Sequence, residues 1–481
     1  MRILDNLQPA EVFHFFEEIC AIPHTSFHEQ ELSDYCVKFA QDRGLFCRQD
    51  ELGNVVIIAE ATEGYEDVPA VILQGHLDMV GDKTQDCTLD LEKDGLELFV
   101  EGDLIGAKGT TLGADDGIAV AYALAVLDSK EISHPRLEVV LTVSEEVGLI
   151  GAAGIDLSEC QAKRLINIDS EDEGVLTVGC AGGRRDYCVI PVQREEKEGL
   201  VCKLSIEGLL GGHSGIEIDR GRANAAVLMG RFMMLLEQNI SCSIVELNSG
   251  VKENVIPKDS KAVILIEEED LYILKNIAEV FNEKMAAEYG TADPDIRLSV
   301  EAEEIEKTMV LEDISAQKIM MSLNLMPNGI QAMSMDLPGL VESSLNLGTV
   351  ELKEDTFEMA FSIRSSVVSA KEYMSDKIEY LTGMLGGTVE ISGDYPSWPY
   401  AKESKLRDLC ISVFKEQYGY EPKVELIHAG LECGILSDKI PGLDCVSFGP
   451  NLTAVHTPNE RVSISSTARV WEYLKALLAA K

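Results

Sequence analysis

The sequence predicts an α/β protein of two domains. One is a three-layer domain with a largely parallel sheet covered on both faces, built from both ends of the chain. The other is an α+β domain inserted into it. Three observations lead there. Short apolar runs alternate with helical patterns up to about residue 180, the order that puts parallel strands under helices. From residue 184 the strand-like runs become alternating and half-polar, as in sheets with one exposed face. Beyond Tyr395-Pro396-Ser397-Trp398-Pro399 the helix–strand order resumes. The domains so defined are residues 1–183 with 395–481, and the insertion 184–394.

Taken in order, residues 9–21 carry Val12, Phe13, Phe16 and Ile19 near helical spacing. A second helix spans 29–41, closed by Gly44. Apolar strand-like runs follow at 54–58, 68–73, 137–143 and 165–168, with a strongly apolar helical pattern at 117–127. In the insertion, residues 201–206 and 356–364 alternate in the strand manner. A chain of 481 residues exceeds the size at which single cores stop growing.

Composition excludes several classes of partner. Lys and Arg number 41 against 83 Asp and Glu, a formal net charge of −42. Such a surface repels phosphate backbones and anionic lipid, so neither nucleic acid nor membrane is expected as a partner. No apolar run approaches the roughly 18 to 20 residues of a membrane span. The start lacks a secretory apolar region, and the twelve cysteines include no Cys-x-x-Cys pair. They read as reduced thiols of a cytoplasmic protein.

The chemistry concentrates where apolar strands end. His76 and Asp78 follow the run at 68–73, beyond a strand's carboxyl end, where open α/β sheets place their ligands. Asp78 can accept from one ring nitrogen of His76 and leave the other for a metal. Residues 109–117, Gly-Thr-Thr-Leu-Gly-Ala-Asp-Asp-Gly, form a glycine-rich loop opening a helix. No lysine follows in phosphate-loop spacing, and Asp115 with Asp116 would repel phosphate and attract a cation. One of the pair could instead be a helix cap. Glu145 and Glu146 follow the run at 137–143. Adjacent carboxylates cannot face the same way, which suits one to a metal and the other to proton transfer; a solvated turn is the alternative. Asp169 ends a further strand, and His456 lies in the loop after residues 446–450. His76, Asp115, Glu146, Asp169 and His456 would then gather at one sheet edge. Two imidazoles and three carboxylates can complete two four-coordinate ions only if one carboxylate bridges. Imidazole with carboxylate favours two zinc ions, and manganese or cobalt would fit.

These segments resemble the di-zinc exopeptidase and deacylase family of carboxypeptidase G and carnosinase type, and within it the aminoacyl-histidine dipeptidases. The motifs are Gly-His-Leu-Asp-Met-Val (75–80), Gly-Ala-Asp-Asp-Gly-Ile-Ala (113–119), Ser-Glu-Glu-Val-Gly (144–148), Asn-Ile-Asp (167–169) and His-Thr-Pro-Asn-Glu (456–460). The resemblance implies Asp115 as the bridge, with His76 and Asp169 on one ion and Glu146 and His456 on the other. It implies Glu145 as general base, Asp78 as the residue orienting His76, and a cis peptide between Asp115 and Asp116. The implied activity is hydrolysis of small peptides, Xaa-His dipeptides above all. Tripeptide aminopeptidase or N-acyl amino acid deacylase activity, or metal and peptide binding without catalysis, stay open.

The insertion resembles the family's lid. Gly-Gly-His-Ser-Gly (211–215) is similar to the motif whose histidine faces substrate, which implies His213 as an oxyanion stabiliser; a structural histidine is the alternative. Asn254 and Arg364 match lid positions that contact substrate, although an arginine on a strand is often only an exposed charge. The stretch His428-Ala429-Gly430-Leu431-Glu432 follows another strand, which suits His428, Gly430 and Glu432 to a substrate pocket. For Glu432 a helix-start role is the alternative. The family likeness leaves a homodimer open.

Overall fold

The computed structural model describes residues 2–335 and 337–481. The chain forms two compact units. Unit one comprises Met1–Cys180, Trp398–Leu426 and Leu431–Lys481; unit two comprises Ala181–Ser397 and Ile427–Gly430. The chain therefore crosses between the units four times, and a short return at residues 427–430 joins the insertion.

Unit one holds an eight-stranded sheet. Its strand order is Phe46–Gln49, Val55–Ala59, Leu137–Thr142, Val71–His76, Arg164–Asn167, Asp444–Ser447, Val175–Cys180, Lys423–Ile427. The four central strands, from Leu137–Thr142 to Asp444–Ser447, run parallel. Val55–Ala59 and Val175–Cys180 flank them antiparallel. Parallel order is thus confined to the centre, because a short connection at residues 50–54 makes the first two strands a hairpin. All six residues of Val71–His76 and of Leu137–Thr142 are buried, as strands covered on both faces must be.

The helix Ala114–Asp128 packs on Val71–His76 and on the first helix, Ala10–Cys20. It is apolar around nearly its whole circumference and almost wholly buried, the mark of a central helix. Phe13, Phe16 and Ile19 of the first helix are completely buried against this core. Each such side chain contributes about 1.5–3 kcal/mol on leaving water. Tyr122 stacks on Trp471 of the last helix, Ile464–Ala479, with centroids 5.9 Å apart.

Unit two is built on a nine-stranded antiparallel sheet with a core around Phe232, Phe281, Phe357 and Phe361. Among the described residues, no helix is long and apolar enough to cross a membrane. All twelve cysteines are free.

Candidate metal centre and donor cluster

The strand Val71–His76 ends with Gly75 and His76 at its carboxyl tip. Gly75 is required there, because a Cβ would lie 2.6 Å from Asp116 Oδ2 and 2.7 Å from Ala119 Cβ. After two further strands, Leu98–Glu101 and Leu104–Ala107, a loop closes on Gly113, at φ 66°, where a Cβ would meet Met79 and His24 as well as an unfavourable backbone region. The helix then starts through Asp115 and Asp116, which have non-helical torsions and a cis peptide between them.

Asp115 turns its two oxygens to two different histidines. Oδ1 lies 3.1 Å from His76 Nε2 and Oδ2 lies 3.0 Å from His456 Nε2. Asp169 Oδ1 is 3.9 Å from His76 Nε2, and Glu146 Oε1 is 2.9 Å from His456 Nε2. Donor atoms within 4.8 Å of one another form three groups: His76 with Asp116 and Asp169, His76 with Glu145 and Glu146, and Asp115 with Glu146 and His456. The structure therefore brings His76, Asp115, Glu145, Glu146, Asp169 and His456 to one place. Asp116 differs from the rest, since its Oδ2 accepts the backbone N–H of His76 at 3.2 Å.

The donor set fits divalent cations. Around an ion with ligand bonds of about 2.0–2.2 Å, neighbouring donors stand roughly 3 to 3.5 Å apart, the spacing seen between Asp115 and each histidine. The ion pairs of Asp115, Glu146 and Asp169 all run to His76 or His456. Glu146 Oε1 is buried, and although near His456 it lacks a hydrogen-bond partner. Burial, and then the neighbouring carboxylates against the pull of His76, hold Glu145 and Asp169 well above the ordinary carboxylate range. Asp115 and then Glu146 push His456 up to about 11. Such a cluster draws positive charge into its midst.

Several residues that support this cluster carried no signal of their own in the sequence. Ser144 sits at φ 52°, an uncommon backbone state for serine. Buried Glu29 holds it, accepting from Ser144 N at 2.8 Å and from its hydroxyl at 2.9 Å. Glu460 accepts four backbone N–H groups, from Leu112, Gly113, Ala114 and Asp115, at 2.8, 3.0, 2.8 and 3.3 Å. Its place at the end of the 456–460 motif was the available hint.

Asp78 stands beside His76, with its backbone carbonyl 3.0 Å and its carboxylate 3.5 Å from Nδ1. That carboxylate also accepts from the backbone N–H of Glu145 and Glu146 and from Ser26 Oγ. Glu432 is the first residue of the helix Glu432–Lys439, in keeping with the helix-start alternative; its side chain has no exposed surface and bonds to Gln74 and Thr142.

Unit two contains a second cluster, rich in donors. His213 Nδ1 accepts the backbone N–H of Gly215 and Ile216, both at 3.3 Å, so Nε2 carries the hydrogen. Arg364 is 92% buried, a correction to the exposed-charge alternative; its exposure is 8%. It donates to Tyr395 at 3.2 Å, and its Nε is buried without a hydrogen-bond partner. No carboxylate forms an ion pair with it among the described residues. His428 Nε2 pairs with Ser344 Oγ at 2.7 Å. Burial, with Arg364 nearby, lowers both His213 and His428 to about 4, so both are neutral near pH 7. Gly430 packs under Tyr395, where a Cβ would lie 2.7 Å from the ring. Asn254 is half-buried, and its carbonyl accepts from Ser214 N at 2.9 Å.

Comparison with known proteins adds the following. The sequence model of peptidase family M20/M25/M40 matches residues 72–480. A cytosol non-specific dipeptidase of Escherichia coli is 36% identical over 480 residues, 99% of each chain. The crystal structure of an aminoacylhistidine dipeptidase from Vibrio alginolyticus matches with a TM-score of 0.91 and 36% identity, over 99% of this chain and 97% of that one. An aminopeptidase of Bacillus cereus shares the fold, with a TM-score of 0.57, 15% identity and 98% coverage of both chains.

Proposed function

The chain belongs to peptidase family M20/M25/M40, and from that premise we propose that it is a cytoplasmic metallodipeptidase hydrolysing unblocked dipeptides, Xaa-His among them. The names of the Escherichia coli and Vibrio relatives support dipeptides as the substrate class. The observation that carries the metal-dependent chemistry is Asp115, with one oxygen toward His76 and the other toward His456. His76 and Asp169 would hold one ion, Glu146 and His456 the other, and Asp115 both. Zinc suits imidazole with carboxylate, with manganese or cobalt as substitutes.

Two bound ions would supply a water acidified from about 16 toward about 7 and a polarised scissile carbonyl. Glu145 is the general base. It lies among the ligands, within 4.8 Å of His76 and Glu146 but in no ion pair among the described residues, and burial makes its carboxyl unusually basic. It takes one proton as the water oxygen attacks the carbonyl carbon. It returns that proton to the amine nitrogen as the carbon–nitrogen bond breaks. His213, neutral with hydrogen on Nε2, is a donor suited to the oxyanion. Arg364, a buried cation with no carboxylate partner among the described residues, suits the carboxyl terminus of the peptide.

The test is hydrolysis by protein stripped with chelator and reloaded with single metals. Dipeptides, tripeptides and acylated amino acids are compared at equal concentration. Metal-dependent turnover greatest for dipeptides is the expected result. Greater turnover of tripeptides or acylated amino acids would refute the dipeptidase reading.

A further inference from the structure

A row of buried polar side chains in unit one serves none of the steps above. Glu432 opens the helix Glu432–Lys439. Its Oε2 accepts from Gln74 Nε2 and, at 2.7 Å, from Thr142 Oγ1. Gln74 Oε1 accepts from Asn167 Nδ2 at 2.6 Å, and Asn167 Oδ1 accepts from the backbone N–H of Asp169 at 3.4 Å. All four side chains are at most 2% exposed. They cross three adjacent parallel strands whose other side chains are mostly apolar.

The row has a direction. Gln74 turns its NH₂ toward Glu432, whose Oε2 accepts from it. That leaves Gln74 Oε1 for the Asn167 NH₂, which in turn leaves Asn167 Oδ1 for Asp169. Reversing either amide would set donor against donor. At the same time Gln74 stands two residues before His76 on the same face of its strand. Thr142 is the register partner of His76, and Gln74 that of Asn167. One end of the row accepts the backbone N–H of Asp169, and at the other Thr142 is paired in register with His76; among the described residues none of its hydrogen bonds runs to Glu146 or His456.

We propose that Glu432 is a positioning residue that, through Gln74, Thr142 and Asn167, fixes His76 and Asp169 and so governs the ion position these two share. The proposal rests on the dinuclear reading above. Outer partners of metal ligands are commonly worth about 10- to 100-fold in metal affinity. The expected signature is a loss confined to one of two ions.

The experiment compares wild type, Glu432→Leu, Glu432→Gln and Gln74→Met. Each is stripped with chelator, checked for folding by circular dichroism, and titrated with zinc by calorimetry and with cobalt by visible absorption. Wild type should take up two ions. Glu432→Leu should weaken one by about 10- to 100-fold and leave the other within about threefold. Glu432→Gln still accepts from Gln74 and Thr142 through its amide oxygen and should restore both ions to within about threefold. Gln74→Met should reproduce the selective loss, and decides the matter if Glu432→Leu does not fold. Equal weakening of both ions, or none in folded Glu432→Leu and Gln74→Met, overturns the proposal. Wild type taking up fewer than two ions overturns the dinuclear reading itself, and is distinguished by failing before any substitution.

Discussion

The carboxylate of Asp78 accepts the backbone N–H of Glu145 at 2.8 Å. Its other oxygen takes Glu146 N at 3.2 Å and Ser26 Oγ at 2.8 Å. This ties the loop after the His76 strand to the turn that carries the proposed base. Asp78→Ala should therefore misplace Glu145 and Glu146 together, lowering kcat at saturating metal by about 10- to 100-fold. Asp78→Asn keeps one accepting oxygen and should recover part of that loss. Steady-state kinetics with metal content measured alongside checks both; wild-type kcat in metal-replete Asp78→Ala would refute the role.

A bridging carboxylate serves both ions, so Asp115→Ala should lose both. Elemental analysis after gel filtration reads the outcome directly. One ion still firmly held would show that the two positions do not share Asp115.

Glu145→Gln should retain two ions and the fold while kcat falls by roughly 10²–10⁴-fold, the scale of losing a positioned acid–base group. Near-normal turnover by a fully metallated variant would give the proton to another residue.

The fold and the ligand-bearing segments were legible because their signals are local. An apolar run that stops at His76, or at Glu145 and Glu146, marks a strand end from the residues alone. The antiparallel flanks of the sheet were less legible, since pairing direction depends on connections and neighbours far along the chain. The supports of the site were least legible. Glu29 bonds to Ser144, 115 residues away, and Glu460 to Leu112, 348 residues away. No short-range pattern carries such a pairing. Asp78 shows a related limit: its spacing from His76 was visible, but its carboxylate serves a turn on another strand.

Acid should weaken unit two through His428. Its folded value of about 4 lies below the ordinary value of about 6.5, chiefly through burial and then through Arg364 and His213. The neutral ring is the one that folds, so the unfolded chain binds more protons between those values. Stability is fully present above about pH 6.5 and is lost as pH falls toward 4, by about 3 kcal/mol at most for this group. His428→Gln can keep the bond to Ser344 without titrating. Thermal melts between pH 4.5 and 7.5 should show a shallower acid limb in that variant. An unchanged slope would show that His428 does not govern it.

Arg364 Nη2 and His213 Nε2 stand 3.5 Å apart, and both are donors, because the His213 Nδ1 lone pair is taken by two backbone N–H groups. Two donors so close satisfy each other poorly, so each is better served by an acceptor of its own. With His213 Nε2 directed to the oxyanion, Arg364, whose Nε is also unpartnered, keeps donors for a separate anion. If that anion is the peptide's carboxyl terminus, Arg364→Met should raise KM for free dipeptides by about 10- to 100-fold, as for a hydrogen bond to a charged group. Its kcat should change little, because the contact exists before and during reaction. A dipeptide ending in an amide provides the control. Wild type should already bind it weakly, and Arg364→Met should cost it little more, since the two changes remove the same interaction. Equal losses by Arg364→Met on the free acid and on the amide would separate Arg364 from the carboxyl terminus.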